Sequence, residues 1–329
     1  MIHSSVYGEL KIFSGGANPC LARKICEYLD HPLENLIISR HSDGEIYVRY
    51  PQSIRGADVF IIQPTHYPQA ENLMELLMLT DAATLASAKR ITAVIPYYGY
   101  ARGDRKAQGR ESIPAKLKAD MIAAAGANRV LLVDLHASQI QGFFERKMVV
   151  PDHLYAKPVF INYLRGFFQN LGLMPLKDYL AVMAPDAGAA KMGHSYAKKL
   201  DNVPLVIVDK RRTEPNRIEV YTIIGEVKDK IILIVDDIID TAGTIVKAAE
   251  AAMERGAKEI YAVATHPVLS GNAISRLESS PIRKLFVSDS IGLPIPKKNT
   301  KIEVISIASI IGDSIKKIHL DESVSEQFD

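Results

Sequence analysis

An α/β fold of two similar domains, each a mainly parallel sheet flanked by helices, follows from three features of the chain. Short apolar runs alternate with helical patterns along its whole length. Those runs are rich in Val, Ile and Leu without polar alternation, which suits strands buried on both faces. One stretch also echoes another. "RITAVIPYYGYARGDRK", a helix and "GANRVLLVDLHA" in the first half stand against "KIILIVDDIIDTAGT", a helix and "GAKEIYAVATHP" in the second. Strands that alternate with helices pair in parallel through crossovers.

Taken in order, the predicted strands are "LKIFSG", "NLIISR", "DVFIIQ", "RITAVIP" and "RVLLVDL", then "YLAVMAP", "PLVIVDK", "KIILIVDD", "EIYAVATH" and "KLFVSD". The echo suggests two related domains, the second starting near Pro151, so domains over 1–150 and 151–309 are expected, with a tail from about 310 to 329 expected to join the first. The 329 residues suffice for two domains. With 47% hydrophobic and 24% charged residues the composition is globular, and a net charge of +2 gives no sign of a nucleic-acid partner. No apolar run approaches the roughly 18 residues needed to span a membrane. "MIHSSVYGELKIFSGG" lacks a basic region followed by an apolar core, so a cytoplasmic protein is expected. Cys20 and Cys26 share one predicted helix, have no metal-site companions and read as packing residues of a reduced protein.

The stretch "VDDIIDTAGT" carries the strongest chemical signal. An Asp240 or Thr241 N-cap on the helix "TIVKAAEAAMERGA" explains one acid, but not Asp236 and Asp237. Two carboxylates at the end of a buried strand are costly unless something binds them. Ala242 and Gly243 let backbone amides approach a ligand, and a helix N-terminus favours an anion. Thr241 and Thr244 add hydroxyls, and no Lys-Ser or Lys-Thr of a P-loop follows. Acids for sugar hydroxyls or a hydrated metal ion, beside a cradle for phosphate, specify a sugar-phosphate site.

"VDDIIDTAGT" resembles the ribose-5-phosphate loop shared by phosphoribosyltransferases and ribose-phosphate pyrophosphokinases. The first half of the chain decides between them. "SRHSDGEIYVRY", "VIPYYGYARGDRKAQGRESIPAKL", "VDLHASQIQGFF", "VDKRR" and "ATHPVLSGNAI" are similar to pyrophosphokinase segments over nearly the whole chain, and single-domain phosphoribosyltransferases lack the first half. The resemblance implies two phosphoribosyltransferase-like domains, an ATP side first and a ribose-5-phosphate side second. It implies that ATP is bound by His41, Asp43, Gly44, Glu45, Arg102, Gly103, Asp104 and Arg105. Ribose 5-phosphate falls to Asp236, Asp237, Asp240, Thr241, Ala242, Gly243 and Thr244 together with Arg212. Lys210 and Arg212 become the catalytic cations, and His136 and Asp186 the contacts to Mg²⁺. Imidazole is a poor ligand for Mg²⁺, so His136 is expected to touch the phosphates or a softer ion. A homo-oligomer, commonly a hexamer, with phosphate or ADP as regulators, is also implied.

The chain departs from the family pattern at several positions. His41 replaces an aromatic that stacks on adenine, and Gly103 replaces a glutamine. In "PDAGAAKMG", Ala189 stands for a glycine and Met192 for an arginine. Extra length, "FFQNLGLMPLKDY", precedes Asp186. The alternative reading is a non-catalytic regulatory homologue, which would show a broken "DDIIDTAGT" or a lost Lys210; both are intact.

Overall fold

The computed structural model describes residues 5–145, 148–211, 220–292 and 301–324, with the side chains of 210, 211, 220 and 221 outside the description. The described chain forms two compact units, Met1–Tyr155 with Ser290–Gly292 and Ser306–Asp329, and Ala156–Asp289 with Leu293–Ile305.

In chain order the first unit begins with β1 (Leu10–Ser14), α1 (Pro19–Leu29) and a hairpin of β2 (Ile37–Arg40) and β3 (Ile46–Arg49). It continues through β4 (Asp58–Ile62), α2 (Gln69–Leu85), β5 (Arg90–Ile95), α3 (Pro114–Ala124), β6 (Arg129–Val133), a 3-10 turn at Ser138–Phe143 and β7 (Val150–Leu154). The second unit runs α4 (Lys157–Asn170), α5 (Leu176–Tyr179), β8 (Leu180–Ala184), α6 (Ala190–Lys199), β9 (Leu205–Arg211) and β10 (Val220–Ile224). It then runs β11 (Ile231–Ile239), α7 (Gly243–Glu254), β12 (Glu259–Pro267), α8 (Ala273–Ser279), β13 (Ile282–Ser288) and β14 (Ile302–Ile305). The chain returns to the first unit as α9 (Ala308–His319).

The first sheet has the order β1-β4-β5-β6-β7, all parallel. The second has the order β10-β9-β8-β11-β12-β13-β14, parallel except where β9 meets β10. Every residue of β4, β5 and β8 is buried, which is why their sequences show no alternation. Each sheet has its own core: Val59, Ile61, Leu76, Ile91 and Leu132 in one, and Val206, Ile232, Ile234, Ala248 and Leu285 in the other. Sequence cues also fix helix ends. Pro19 opens α1, and the Asn18 side chain accepts from the Leu21 amide at 3.2 Å.

The sheet orders correct the register of the sequence echo. The echo set β5 against β11. By position in the sheet, β4 is the counterpart of β11, and β5 that of β12. Each unit also inserts an antiparallel hairpin between its first parallel strand and this one. In the first unit β2 and β3 form a sheet of their own, and in the second β9 and β10 extend the main sheet.

Candidate functional site

β11 carries its apolar run into the sheet as far as Val235 and then presents Asp236 and Asp237, both half-buried, at its carboxyl end. Ligands of open parallel sheets collect at such ends. The Asp237 amide donates to Asp236 Oδ1 at 2.9 Å. Burial pushes the Asp236 carboxyl well above the usual carboxylate range, and the neighbouring Asp237 charge, then Asp186, push it further the same way. Asp186 lies just past β8, the strand beside β11, where its Oδ1 accepts from the Ala189 amide at 3.0 Å. The fold thus gathers three carboxylates from adjacent strands.

α7 begins immediately beyond. Its N-cap is Ala242, whose left-handed backbone (φ 61°) turns the chain and whose side chain caps nothing. Neither Asp240 nor Thr241 is the cap. The first amides of α7 therefore have no side-chain acceptor, which leaves them to an anion. Asp240 is held from behind: its carbonyl accepts from the Ser270 amide at 3.1 Å and its carboxylate from the Ser270 hydroxyl. Thr241 is exposed, and Gly243 and Thr244 are half-buried. Arg276 of α8 donates to the Thr241 carbonyl at 3.0 Å and brings a cation against this loop. Sequence reading missed Arg276. The only signal was a lone arginine on the helix following "VLSGN".

Lys210 lies on β9 with its backbone opposite Tyr221 of β10, and its side chain is outside the description. Arg212 lies outside the described residues.

In the first unit the candidate nucleotide residues fall on three loops. His41, Asp43, Gly44 and Glu45 form the exposed tip of the β2–β3 hairpin. The turn closes through His41 N–H to the Glu45 carbonyl at 2.9 Å and Gly44 N–H to the His41 carbonyl at 2.9 Å. Gly44 sits at φ +94° in open space, as such a turn requires. Asp43 Oδ1 accepts from the Glu45 amide at 3.1 Å, and the His41 ring meets Tyr47 edge-on at 5.8 Å. Arg102 and Arg105 are exposed in the long loop between β5 and α3. Asp104 Oδ2 accepts from Gln139 Nε2 at 2.5 Å, so this loop is tied to the segment after His136. His136 itself is exposed, just beyond β6. The proposed metal contacts therefore belong to different units, His136 to the first and Asp186 to the second.

Asp186, Asp236 and Asp237 offer hard oxygen donors of the kind Mg²⁺ takes. Among the described residues no group of three or more His, Cys, Asp or Glu is arranged to hold a metal by itself. That donor set fits an ion that arrives on phosphates and keeps its waters, held by one or two carboxylates.

Two family models match the chain: the N-terminal domain of ribose phosphate pyrophosphokinase over residues 10–126, and a phosphoribosyl synthetase-associated domain over 194–329. A ribose-phosphate pyrophosphokinase of Caldanaerobacter subterraneus is 51% identical over 97% of this chain and 98% of its own. The Gloeobacter violaceus enzyme of the same name is 48% identical over 97% and 93%. This chain belongs to the ribose-phosphate pyrophosphokinase family. A phosphoribosylpyrophosphate synthetase structure from Mycobacterium smegmatis superposes with a TM-score of 0.87 at 36% identity, over 95% of this chain and 99% of that one.

Against the family pattern, Gly103 has a structural reason. A Cβ there would run into Cγ and Cδ of Pro114, the first residue of α3, so a larger residue requires the start of that helix to shift. Ala189 serves as the N-cap of α6 with helical backbone (φ −79°), so the lost glycine is not needed for an unusual conformation. The extra length folds as the end of α4, a turn and α5.

Proposed function

We propose that this pyrophosphokinase transfers the β,γ-diphosphoryl group of Mg-ATP to the C1 hydroxyl of ribose 5-phosphate, giving 5-phosphoribosyl 1-pyrophosphate and AMP. One observation carries the reading: in a member of this family, a carboxylate cluster and an uncapped helix N-terminus meet at one strand end. In this reading the amides of Gly243 and Thr244 and the hydroxyls of Thr241 and Thr244 take the 5-phosphate. Arg276 adds positive charge from the side. Asp236, Asp237 and Asp240 hold sugar hydroxyls, with Arg212 as a further contact.

The nucleotide falls to the first unit, where His41 faces the base. Asp43, Gly44, Glu45, Arg102, Gly103, Asp104 and Arg105 hold the ribose and triphosphate. Asp186 and His136 face the metal–triphosphate group. Bound Mg²⁺ would offset phosphate charge and polarise the transferring group. The C1 hydroxyl attacks the β-phosphorus, the bond to the α-phosphate oxygen breaks, and AMP leaves. Charge develops on the transferring phosphoryl, so fixed cations matter more than covalent chemistry. Lys210 and Arg212 supply them. We also take the protein to be cytoplasmic and homo-oligomeric, with phosphate or ADP as regulators.

The test is an assay of ribose 5-phosphate with a panel of nucleotides, with products identified by mass. Formation of phosphoribosyl pyrophosphate and AMP is expected. A folded protein that turns over none of the nucleotides at any metal or phosphate level would overturn the reading in favour of a regulatory homologue.

A further inference from the structure

The first unit holds a buried amine that the mechanism above does not use. Lys118 of α3 is 1% exposed. Its Nζ donates to Thr65 Oγ1 at 2.5 Å and to the Gly99 carbonyl at 3.2 Å, and it lies 3.6 Å from the centroid of the Tyr98 ring. The Thr65 hydroxyl is fully used: it donates to the Tyr97 carbonyl at 3.0 Å and accepts from both Lys118 and the Gly99 amide, the latter at 2.9 Å. Tyr98 Oη donates to the Ala115 carbonyl at 2.9 Å. A Cβ on Gly99 would run into the Thr65 carbonyl, so the two segments touch through backbone.

Thr65 follows β4 and Gly99 follows β5, so the knot fastens two neighbouring strand ends at the base of the loop bearing Arg102 to Arg105. Burial lowers the Lys118 pKa well below its ordinary value. A packing role alone would be met by a leucine or methionine without that cost. A buried donor set aimed at one carbonyl and one hydroxyl instead fixes backbone direction.

We propose that Lys118 is a positioning residue for nucleotide binding, holding residues 97–101 so that Arg102 and Arg105 meet the triphosphate. The proposal rests on the assignment of Arg102 to Arg105 to ATP. Loosening such a base misplaces the guanidinium groups without touching the ribose-5-phosphate loop of the other unit.

The experiment compares KM for Mg-ATP, KM for ribose 5-phosphate and directly measured ribose-5-phosphate binding in Lys118→Met, Thr65→Val, Thr65→Ser and Arg102→Ala. Lys118→Met and Thr65→Val should each raise KM for Mg-ATP on the order of tenfold. Both should leave ribose-5-phosphate binding within about twofold, since that loop packs in a separate core. Thr65→Ser keeps the hydroxyl and should restore the wild-type value. If Lys118→Met does not fold, Thr65→Val and Thr65→Ser decide the matter. An unchanged KM for Mg-ATP in folded Thr65→Val, or equal weakening of both substrates, overturns the positioning role. Arg102→Ala separates the two readings: if it leaves KM for Mg-ATP unchanged, the ATP assignment of that loop fails first.

Discussion

The two units place different polar chemistry at matching positions. After β1 the first unit runs through Gly15 and Gly16, and the Gly16 amide is taken by Glu75 Oε1 at 2.6 Å. Glu75 also accepts from Gln63 Nε2 at 2.8 Å, and Gln63 Oε1 accepts from the Ala17 amide at 3.1 Å. Thr65, just past β4, is closed off by Lys118. In the second unit the matching loops carry Asp186 and, past β11, Asp240–Ala242. There carboxylates crowd one another, while α7, like its counterpart α2, begins without a side-chain cap. The first unit meets the Gly16 and Ala17 amides and the Thr65 hydroxyl from within, although the buried His66 Nδ1 beside Thr65 has no partner. The other leaves charge for a ligand to complete. The first unit's candidate nucleotide residues accordingly sit farther out, on the hairpin tip and the loop after β5.

The sharpest way to break this contrast is to remove Lys210, the cation proposed as catalytic in the second unit. Lys210→Ala should lower turnover on the order of 10²–10³-fold, as loss of one group acting on developing charge does. Ribose-5-phosphate binding should change little. A fall of less than tenfold would reduce Lys210 to a surface charge.

Next in size, Asp240→Ala and Thr244→Val should each weaken ribose-5-phosphate binding by about 1–3 kcal/mol, the cost of leaving a polar partner unmet. ATP binding, measured alone, should be preserved. Equal loss of both ligands would mean that the loop is a general structural element.

A smaller effect tests whether the second unit holds unrelieved charge. Asp236 has a raised folded pKa, so the native state favours its protonated form. The cost is absent below the unfolded pKa of about 3.9, grows as pH rises from there toward the folded value, and is full above it. Asp236→Asn should therefore raise the Tm of the metal-free protein at neutral pH, by about 2–4 °C for each kcal/mol relieved, and lose that advantage in acid. A Tm below wild type at pH 7 would show that Asp236 is stabilised by partners.

The smallest effect concerns the hairpin tip. His41→Phe should tighten ATP binding by only a fraction of the ~1–3 kcal/mol that stacking a base on an aromatic contributes, since imidazole already supplies part of it. The partner change, Gly103→Gln, is set aside because Pro114 occupies its space. If the ratio of kcat/KM for ATP and GTP stays constant, position 41 does not read the base.

Much of the architecture was legible because buried parallel strands are uninterrupted apolar runs. Four strands escaped for the opposite reason. β3 is half-exposed and alternates, β7 contains Pro151, Asp152 and His153, and β10 and β14 are edge strands of the second sheet. The echo slipped by one βα step because of helix ends. After α7 the left-handed position is Gly256 (φ +85°), followed by Ala257, and after α3 it is Gly126 (φ +103°), followed by Ala127. After α2, the true counterpart of α7, the same position is Ser87 (φ 62°), followed by Ala88. The turn is conserved in hydrogen bonding: Ser87 and Gly256 amides reach back to Thr84 and Met253. The missing glycine hid the match. At the site, Asp236 and Asp237 were legible because acids ending an apolar run are costly, whereas Arg276 acts from a different helix and no local pattern announces it.

α9 is the last described helix, yet its partners Arg90 and Asp58 lie 228 and 261 residues earlier in the chain. Asp58 at the start of β4 receives Arg90 Nε and Nη2 at 2.8 and 2.6 Å and His319 Nδ1 at 2.8 Å, and Arg90 also donates to the Ile318 carbonyl at 2.8 Å. Asp58, Arg90 and His319 are all buried. Residues 58 and 319 are 261 apart in sequence. During vectorial synthesis at roughly 5–20 residues per second, Asp58 and Arg90 must wait many seconds for that partner. The second unit, Ala156–Asp289 with Leu293–Ile305, has all its described strands by then. The order of emergence is thus reversed at completion. The unit synthesised first is sealed last, and a buried carboxylate at its edge has its full set of donors only when the final helix folds back.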